Sequence, residues 1–519
     1  MAAISVSPPS SVAAAAFGRA RPFPSRLAPP LLFSGPRRLP LRLAVSSRLY
    51  SSKPSSGANG SLDNPSSSGG GDELHHALPL PPRSEKGAPV FVTLPMDAVG
   101  ATGRMARRKT MGASFMALAA AGVEGIAVEC WWGIVEREAP GVYDWGGYLE
   151  LVSLARRFGL KVRAIMAFHQ CGTGPGDPSW IPLPQWVLEE MDKEPDLAYS
   201  DKFGRRSKEY ISLGCDVLPV LKGRSPIQAY SDFMRSFRDT FREFLGVIVT
   251  EIQVGMGPAG ELRYPSCPTE KLTLPGASPE LGEFQCYDKN SEDTSFFRSD
   301  GSWNTPYGQF FLEWYSGMLL LHGERLCTVA NAIFWGTGVK ISGKVAGIHW
   351  HYGTSSHPSE LTAGYYNTLI RDGYLPIARM FGRYGMTLCC TCFDMRDSEE
   401  WSNPRSSPEG FLRQLVYAAR MCNLPLLGEN SVTRLDDTSL NQVIKSSRLY
   451  SSGAYEASLS FNYVRMNRNL FDPRNWNRFT KFVRKMSDFR TFHAKLDIRG
   501  GESCLISGAE EVGRALAYH

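Results

Sequence analysis

From residue 88 onward, short apolar runs alternate with longer amphipathic ones. The short runs are PVFVTLP (89–95), GIAVECWW (125–132), LKVRAIMAFH (160–169), VIVTEIQVGMG (247–257), KVAGIHWHY (344–352), MTLCCTCFD (386–394), PLLGEN (425–430) and SLSFNYVR (458–465). Segments this short and this apolar predict strands buried on both faces, the habit of a parallel sheet. Most of the intervals carry apolar residues at helical spacing. RRKTMGASFMALAAAG predicts a helix stopped at Gly122, and WGGYLELVSLARRFG one stopped at Gly159. Glycine just past a helix supplies the left-handed residue that ends it. Eight strands with helices between them predict an α/β fold, a (β/α)8 TIM barrel in a single catalytic domain with long βα loops. A doubly wound open sheet is the alternative. It calls for a Gly-rich phosphate turn after the first strand, and no G-x-G-x-x-G stands there.

The polar residues that close these runs turn the question from fold to chemistry. In chain order they are Glu129, His169, Glu261, His349, Asp394, Glu429 and Arg465. Barrel active sites are built at the C-terminal ends of several strands. One such residue could be a buried salt bridge, whereas seven in register point to a site. Glu261 and Glu429 each follow a glycine, which lets a ligand approach the backbone closely. Two carboxyls across a pocket meet the needs of glycoside hydrolysis, one protonated to help the leaving oxygen depart and one ionised to activate water. Glu261 has a second reading, an ion pair with Arg263 two residues on, on the same strand face. His349 and His351 would share a strand face, as metal-binding pairs do, but no second pair follows the first strand. His75 and His76 lie in linker-like sequence. No metal and no cofactor is expected. Trp131 and Trp132 are core residues or, at a barrel rim, a platform for a sugar ring.

Composition changes the picture mainly at the N-terminus. The formal charge of +6 is carried entirely by residues 1–72, which hold eight Lys or Arg against Asp63 and Asp72. The remainder is neutral overall, so nothing calls for a nucleic-acid partner. Residues 1–72, rich in Ser, Ala, Pro and Arg, have the composition of a plastid transit peptide followed by a linker. The expected division is therefore a leader over 1–72, a barrel over 85–490 and a tail over 491–519. No run of eighteen apolar residues suggests a membrane span. The 11 cysteines show no zinc-like pairing, and TLCCTCF looks like strand packing, so reduced thiols are expected.

Several longer motifs carry a resemblance. GMGPAGELRYPS (255–266), FHQCG…GD (168–177), GEFQCYDK (282–289), ELTAGYYN (360–367), MRDSE (395–399) and GEN (428–430) together resemble the plant β-amylase family, and HWHYGTSSH resembles its plastid branch. The likeness runs from about residue 88 to about 490. It implies an inverting exo-hydrolase of α-1,4-glucan that releases β-maltose from the non-reducing ends of starch, amylopectin and maltooligosaccharides in the plastid stroma. It implies Glu261 as general acid and Glu429 as general base. It also implies sugar contacts at Glu129, His169, Asp177, Lys344, His349, Thr391, Asn430, Ser431 and Arg465, and no metal.

The chain departs from that pattern at marked places. Thr173, Gly174 and Pro175 replace three residues of the family's mobile lid, and proline fixes φ. Glu129 and Asp394 exchange Asp and Glu with the usual residues, Cys267 replaces a Tyr, and Ser431 replaces an Ala. Only NSED separates CYDK from TSFFRSDGSW, where the family carries a helix and a long loop. These departures leave a second reading, a catalytically impaired plastid regulator or glucan-binding protein built on an amylase barrel.

Overall fold

In a computed structural model, which describes residues 87–492 apart from 173, 201–203, 205, 265–293, 401–404, 452–458 and 489–491, the apolar runs form strands. In chain order these are β1 (Val90–Thr93), β2 (Gly125–Trp131), β3 (Lys161–Ala167), β4 (Ala198–Ser200), β5 (Arg206–Ile211), β6 (Val249–Val254), β7 (Lys340–Lys344), β8 (Thr387–Cys390), β9 (Leu426–Glu429) and β10 (Leu459–Tyr463). Eight of them close into a parallel barrel in the order β1-β10-β9-β8-β7-β6-β3-β2. The open sheet is thereby excluded, since β1 pairs with both β2 and β10. The remaining two, β4 and β5, form an antiparallel hairpin between β3 and β6 that the apolar pattern did not signal.

One strand is displaced from its expected place. The fifth barrel strand is KISGK, ending at Lys344, where the apolar run KVAGIHWHY begins. That run is apolar because Val345, Ala346 and Ile348 are buried as an irregular segment over the barrel mouth. The true strand looks polar because Ser342 and Lys344 alternate with Ile341 and Gly343 along it, and alternate residues face opposite sides of the sheet. His349 therefore lies five residues past a strand end, and His351 adopts a positive φ of 59°. The two histidines do not share a strand face.

The helices pack on the outside as the periodicity predicts. Arg108–Ala120 ends at Gly122 and Gly146–Arg157 at Gly159. A later helix, Pro473–Ser487, buries Phe479, Phe482, Val483 and Met486 against the seam between the first and last strands. Fully burying side chains of this size contributes ~1.5–3 kcal/mol each. Its start is set by Asp472, which accepts from the Arg474 N–H, and by Pro473 at the first position. None of the helices among the described residues is long and apolar enough to cross a membrane.

The barrel interior is unusually polar. Arg163 of β3 donates to Glu251 of β6 at 3.0 Å and to Ser460 of β10 at 3.3 Å, and its guanidinium lies 4.2 Å from the Phe91 ring centroid. Both members of this ion pair are buried. Such a pair is costly to break, because removing one partner strands the other charge.

Candidate active site

Three side chains meet at the C-terminal mouth of the barrel. Lys344 is the last residue of β7, and Glu429 the last residue of β9. Glu261 comes from the loop after β6, which is laid alongside the end of β7. Leu262 N–H donates to Lys344 O at 2.8 Å, and Tyr365 Oη donates to Leu262 O at 2.6 Å. The tight turn before Glu261 is held by Glu209 of β5, whose carboxylate accepts from Ala259 N–H at 3.1 Å. Ala259 and Gly260 have φ of 53° and 74°, so the turn depends on left-handed residues. Lys344 Nζ then stands 2.9 Å from Glu429 Oε2 and 3.7 Å from Glu261 Oε1. One ammonium bridges both carboxylates.

The glycines beside the two glutamates serve packing rather than ligand approach. A Cβ on Gly428 would lie 2.6 Å from the Phe393 ring, and one on Gly260 would press the His169 ring at 3.3 Å.

The two carboxyls differ in environment. Glu429 is 3% exposed, and both its oxygens are engaged, Oε2 by Lys344 and Oε1 by Asn462 Nδ2 at 2.7 Å. Burial pushes its carboxyl up, but the Lys344 ammonium, the Asn462 amide and the Arg163 guanidinium together outweigh it and hold it below the usual range. Glu261 is more open. Its Oε2 accepts from Arg263 Nε at 2.8 Å, so the ion pair foreseen as its alternative role is formed. Lys344 loses solvation by burial, yet the two glutamates keep it protonated far into the alkaline range.

The other predicted residues divide into those at this mouth and those that brace it. Glu129 and Arg465 pair with each other through contacts of 2.6 and 3.1 Å, and Arg465 also donates to Leu94 O. His169 lies edge-on to Trp131 at 5.3 Å. Burial, then Arg263 and Lys344, pull it down to about 3, so its imidazole is neutral. Its Nδ1 is buried with no hydrogen-bond partner among the described residues. Asp177 shapes the candidate lid through its bond from Ser179 N–H at 2.8 Å, and the lid's ends are joined by the Cys171–Ile181 bridge. Pro175 is exposed on this loop, whereas Thr173 lies outside the described residues, as do Cys267 and the NSED junction.

Thr391 follows β8, with its hydroxyl 3.6 Å from Cys392 Sγ. Asn430 and Ser431 are largely occupied with backbone. Asn430 donates to Val464 O and accepts from Val464 N–H, at 2.6 and 2.8 Å. Ser431 Oγ accepts from Cys392 N–H at 2.9 Å. Asp394, read as a strand-end acid, instead ties two loops together by accepting from Ser431 and Val432 N–H at 2.7 and 3.2 Å. His349 is bonded to Ser406 Oγ at 2.8 Å, and burial draws it down to about 4. His351 is bonded to Ser359 Oγ instead. Trp131 and Trp132 are both buried, which removes them as exposed sugar platforms. Trp132 packs among Phe168, Trp186 and Tyr230. Among the described residues no group of three His, Cys, Asp or Glu is placed to hold a metal ion.

Sequence reasoning passed over Asn462 and Glu209. Asn462 is one polar residue within an apolar run, and Glu209 lies in the mostly polar stretch RSKEYI, so neither carried a signal of its own.

A closed parallel barrel with paired carboxylates at its C-terminal mouth is the design of a barrel glycoside hydrolase. The chain belongs to glycosyl hydrolase family 14, whose sequence profile matches residues 91–292 and 289–490. It is 51% identical over 443 residues to beta-amylase 1, chloroplastic, of Arabidopsis thaliana, covering 78% of this chain and 77% of that one. To the Oryza sativa subsp. japonica protein of the same name it is 51% identical over 448 residues, 80% of this chain and 83% of the other. Among solved structures, the catalytic domain of beta-amylase from Paenibacillus polymyxa superposes with a TM-score of 0.61 at 22% identity, covering 77% of this chain and 98% of that one, which speaks to the fold.

Proposed function

We propose that this chain is a working plastid β-amylase. It hydrolyses α-1,4 bonds at the non-reducing ends of starch and maltodextrin and releases maltose with inversion to the β anomer. Glu261 is the general acid and Glu429 the general base. The observation that carries the reading is Lys344 shared between the two carboxylates, with Glu429 held ionised and buried while Glu261 is the more exposed of the two. An ionised, fixed carboxylate is what water activation needs. Inversion needs the carboxyls ~6.5–9.5 Å apart to admit that water. In the reaction Glu261 must carry a proton, so it exchanges Arg263 for the glycosidic oxygen as the sugar enters.

His169, Glu129, Asp177, Thr391, Asn430, Ser431, His349 and Arg465 form or brace the sugar-binding walls. The plastid location rests on the composition of residues 1–72 and on relatives named chloroplastic, and the division into leader, barrel and tail belongs to the same reading.

The test is maltose release from soluble amylopectin by protein lacking residues 1–72, with optical rotation to report the anomer. Release of β-maltose by the parent is expected. Glu261→Gln and Glu429→Gln should each abolish turnover while leaving maltooligosaccharide binding intact. Persisting release in either variant overturns that residue's role.

A second reading, an impaired regulator that binds glucan, is favoured by one observation: the family match is broken into two pieces that meet at residues 289–292. A folded parent that binds maltooligosaccharide and releases nothing selects it.

A further inference from the structure

Asn462 of β10 stands between the first strand of the barrel and the proposed base. It lies in register with Glu429 on β9 and with Phe91 on β1, and it is 0% exposed. Its Nδ2 donates to Glu429 Oε1 at 2.7 Å and to Thr93 Oγ1 at 2.8 Å, so both amide protons are spent across the seam. The orientation is fixed by chemistry. Turning the amide over would set its carbonyl oxygen against the Glu429 carboxylate, two acceptors with no proton between them. Carboxylates that accept from a buried donor are held in the charged form and in one rotamer.

We propose that Asn462 is the positioning residue of the base, fixing the Glu429 carboxylate, ionised and in a single orientation, toward the place where water must stand. The inference takes Glu429 as the base of the proposed reaction. Lys344 cannot fill this role alone. It holds Oε2 and is shared with Glu261, so it leaves rotation about the carboxylate axis unopposed. The amide clamps Oε1 from the neighbouring strand β10. The other charged or titratable groups within reach of Glu429 are Lys344 of β7, Glu261 beyond it, Arg163 of β3, Arg465 after β10, itself paired with Glu129 of β2, and the Cys389 and Cys390 thiols of β8. None of these changes when Asn462 is replaced.

The experiment compares the parent with Asn462→Leu, Asn462→Ser and Asn462→Asp in the pH dependence of kcat and KM on maltooligosaccharide. Leucine removes the donor at similar size. Loss of the donor destabilises the ionised base, so the acid limb of kcat should move up by about one pH unit. A mis-aimed base should lower kcat about ten- to a hundredfold, while KM changes by less than about threefold. Serine, with a shorter donor, should recover part of the rate. Aspartate, a like charge against Glu429, should move the limb furthest. If the leucine variant fails to fold, the serine and aspartate variants carry the test. A merely structural role predicts lower thermal stability with the acid limb unmoved, and that result overturns the proposal. The carboxyl of Glu429 can also be titrated directly by 13C NMR in each variant. Should the parent release no maltose, the amylase reading fails by itself, and the titration still decides this one: an unshifted Glu429 midpoint in Asn462→Leu overturns it.

Discussion

At the scale of single residues, the site is governed by what burial does to charge. His169 and His349 are held neutral, at about 3 and about 4. The unfolded chain takes up a proton on each as pH falls through 6.5, while the folded chain does not. Stability from these two groups is therefore whole above 6.5 and declines as pH drops toward their folded values, by about 1.4 kcal/mol per pH unit for each. His169→Gln should weaken this dependence, so that its urea midpoint falls less than the parent's between pH 6.5 and 4.5. Parallel curves for the two proteins would place the acid sensitivity elsewhere. Residues of this kind were only partly legible. Glu261, Glu429 and Lys344 stand out because motifs frame them. Asn462 does not, since FNY within an apolar run reads as one more strand, and only its inward position gives the amide a partner. Asp394 misled in the opposite way. Its charge at a strand end suggested pocket chemistry, yet its oxygens are taken by the backbone of the loop that follows Glu429.

At the scale of elements, periodicity did most of the work. Strands buried on both faces and helices ended by glycine follow from side-chain pattern and left-handed backbone, both local properties. The displaced β7 shows where the pattern fails. A strand whose inward face enters a polar interior loses its apolar signature, and the neighbouring apolar loop borrows it. The β4–β5 hairpin was silent because four polar residues, Arg206 to Glu209, open β5 and β4 is only three residues long, leaving no apolar run to read. The lid is the element whose effect is most open to measurement. Its ends are joined at Cys171 and Ile181, and between them Pro175 restrains φ. Replacing Thr173, Gly174 and Pro175 by Gly, Asn and Val should raise kcat severalfold if closure limits turnover. Unchanged kcat would clear the lid of that role.

At the scale of the molecule, the barrel is organised around a polar axis. Arg163 and Glu251 lie below, Ser460 and Asn462 link the layers along β10, and Glu429 with Lys344 caps them. Arg163→Met alone should destabilise the fold by about 3–5 kcal/mol, because Glu251 is left charged and buried. The paired change Arg163→Met with Glu251→Leu should cost much less, and thermal unfolding of the two variants separates the cases. Equal losses would mean that packing on Phe91, not charge, sets the price. This axis was not legible beforehand, because the residues that share it are nearly 300 positions apart in the chain (Arg163 and Ser460).

The seam between β1 and β10 has a consequence for how the protein comes to life. Thr93 is supplied within the first barrel strand, and Asn462 and Arg465 only with the last. A chain still being translated, or one cut short before its final strand, already holds both glutamates and the lysine but has no wall against which to set them. Competence thus arrives with completion, and a shortened product is silent rather than unruly.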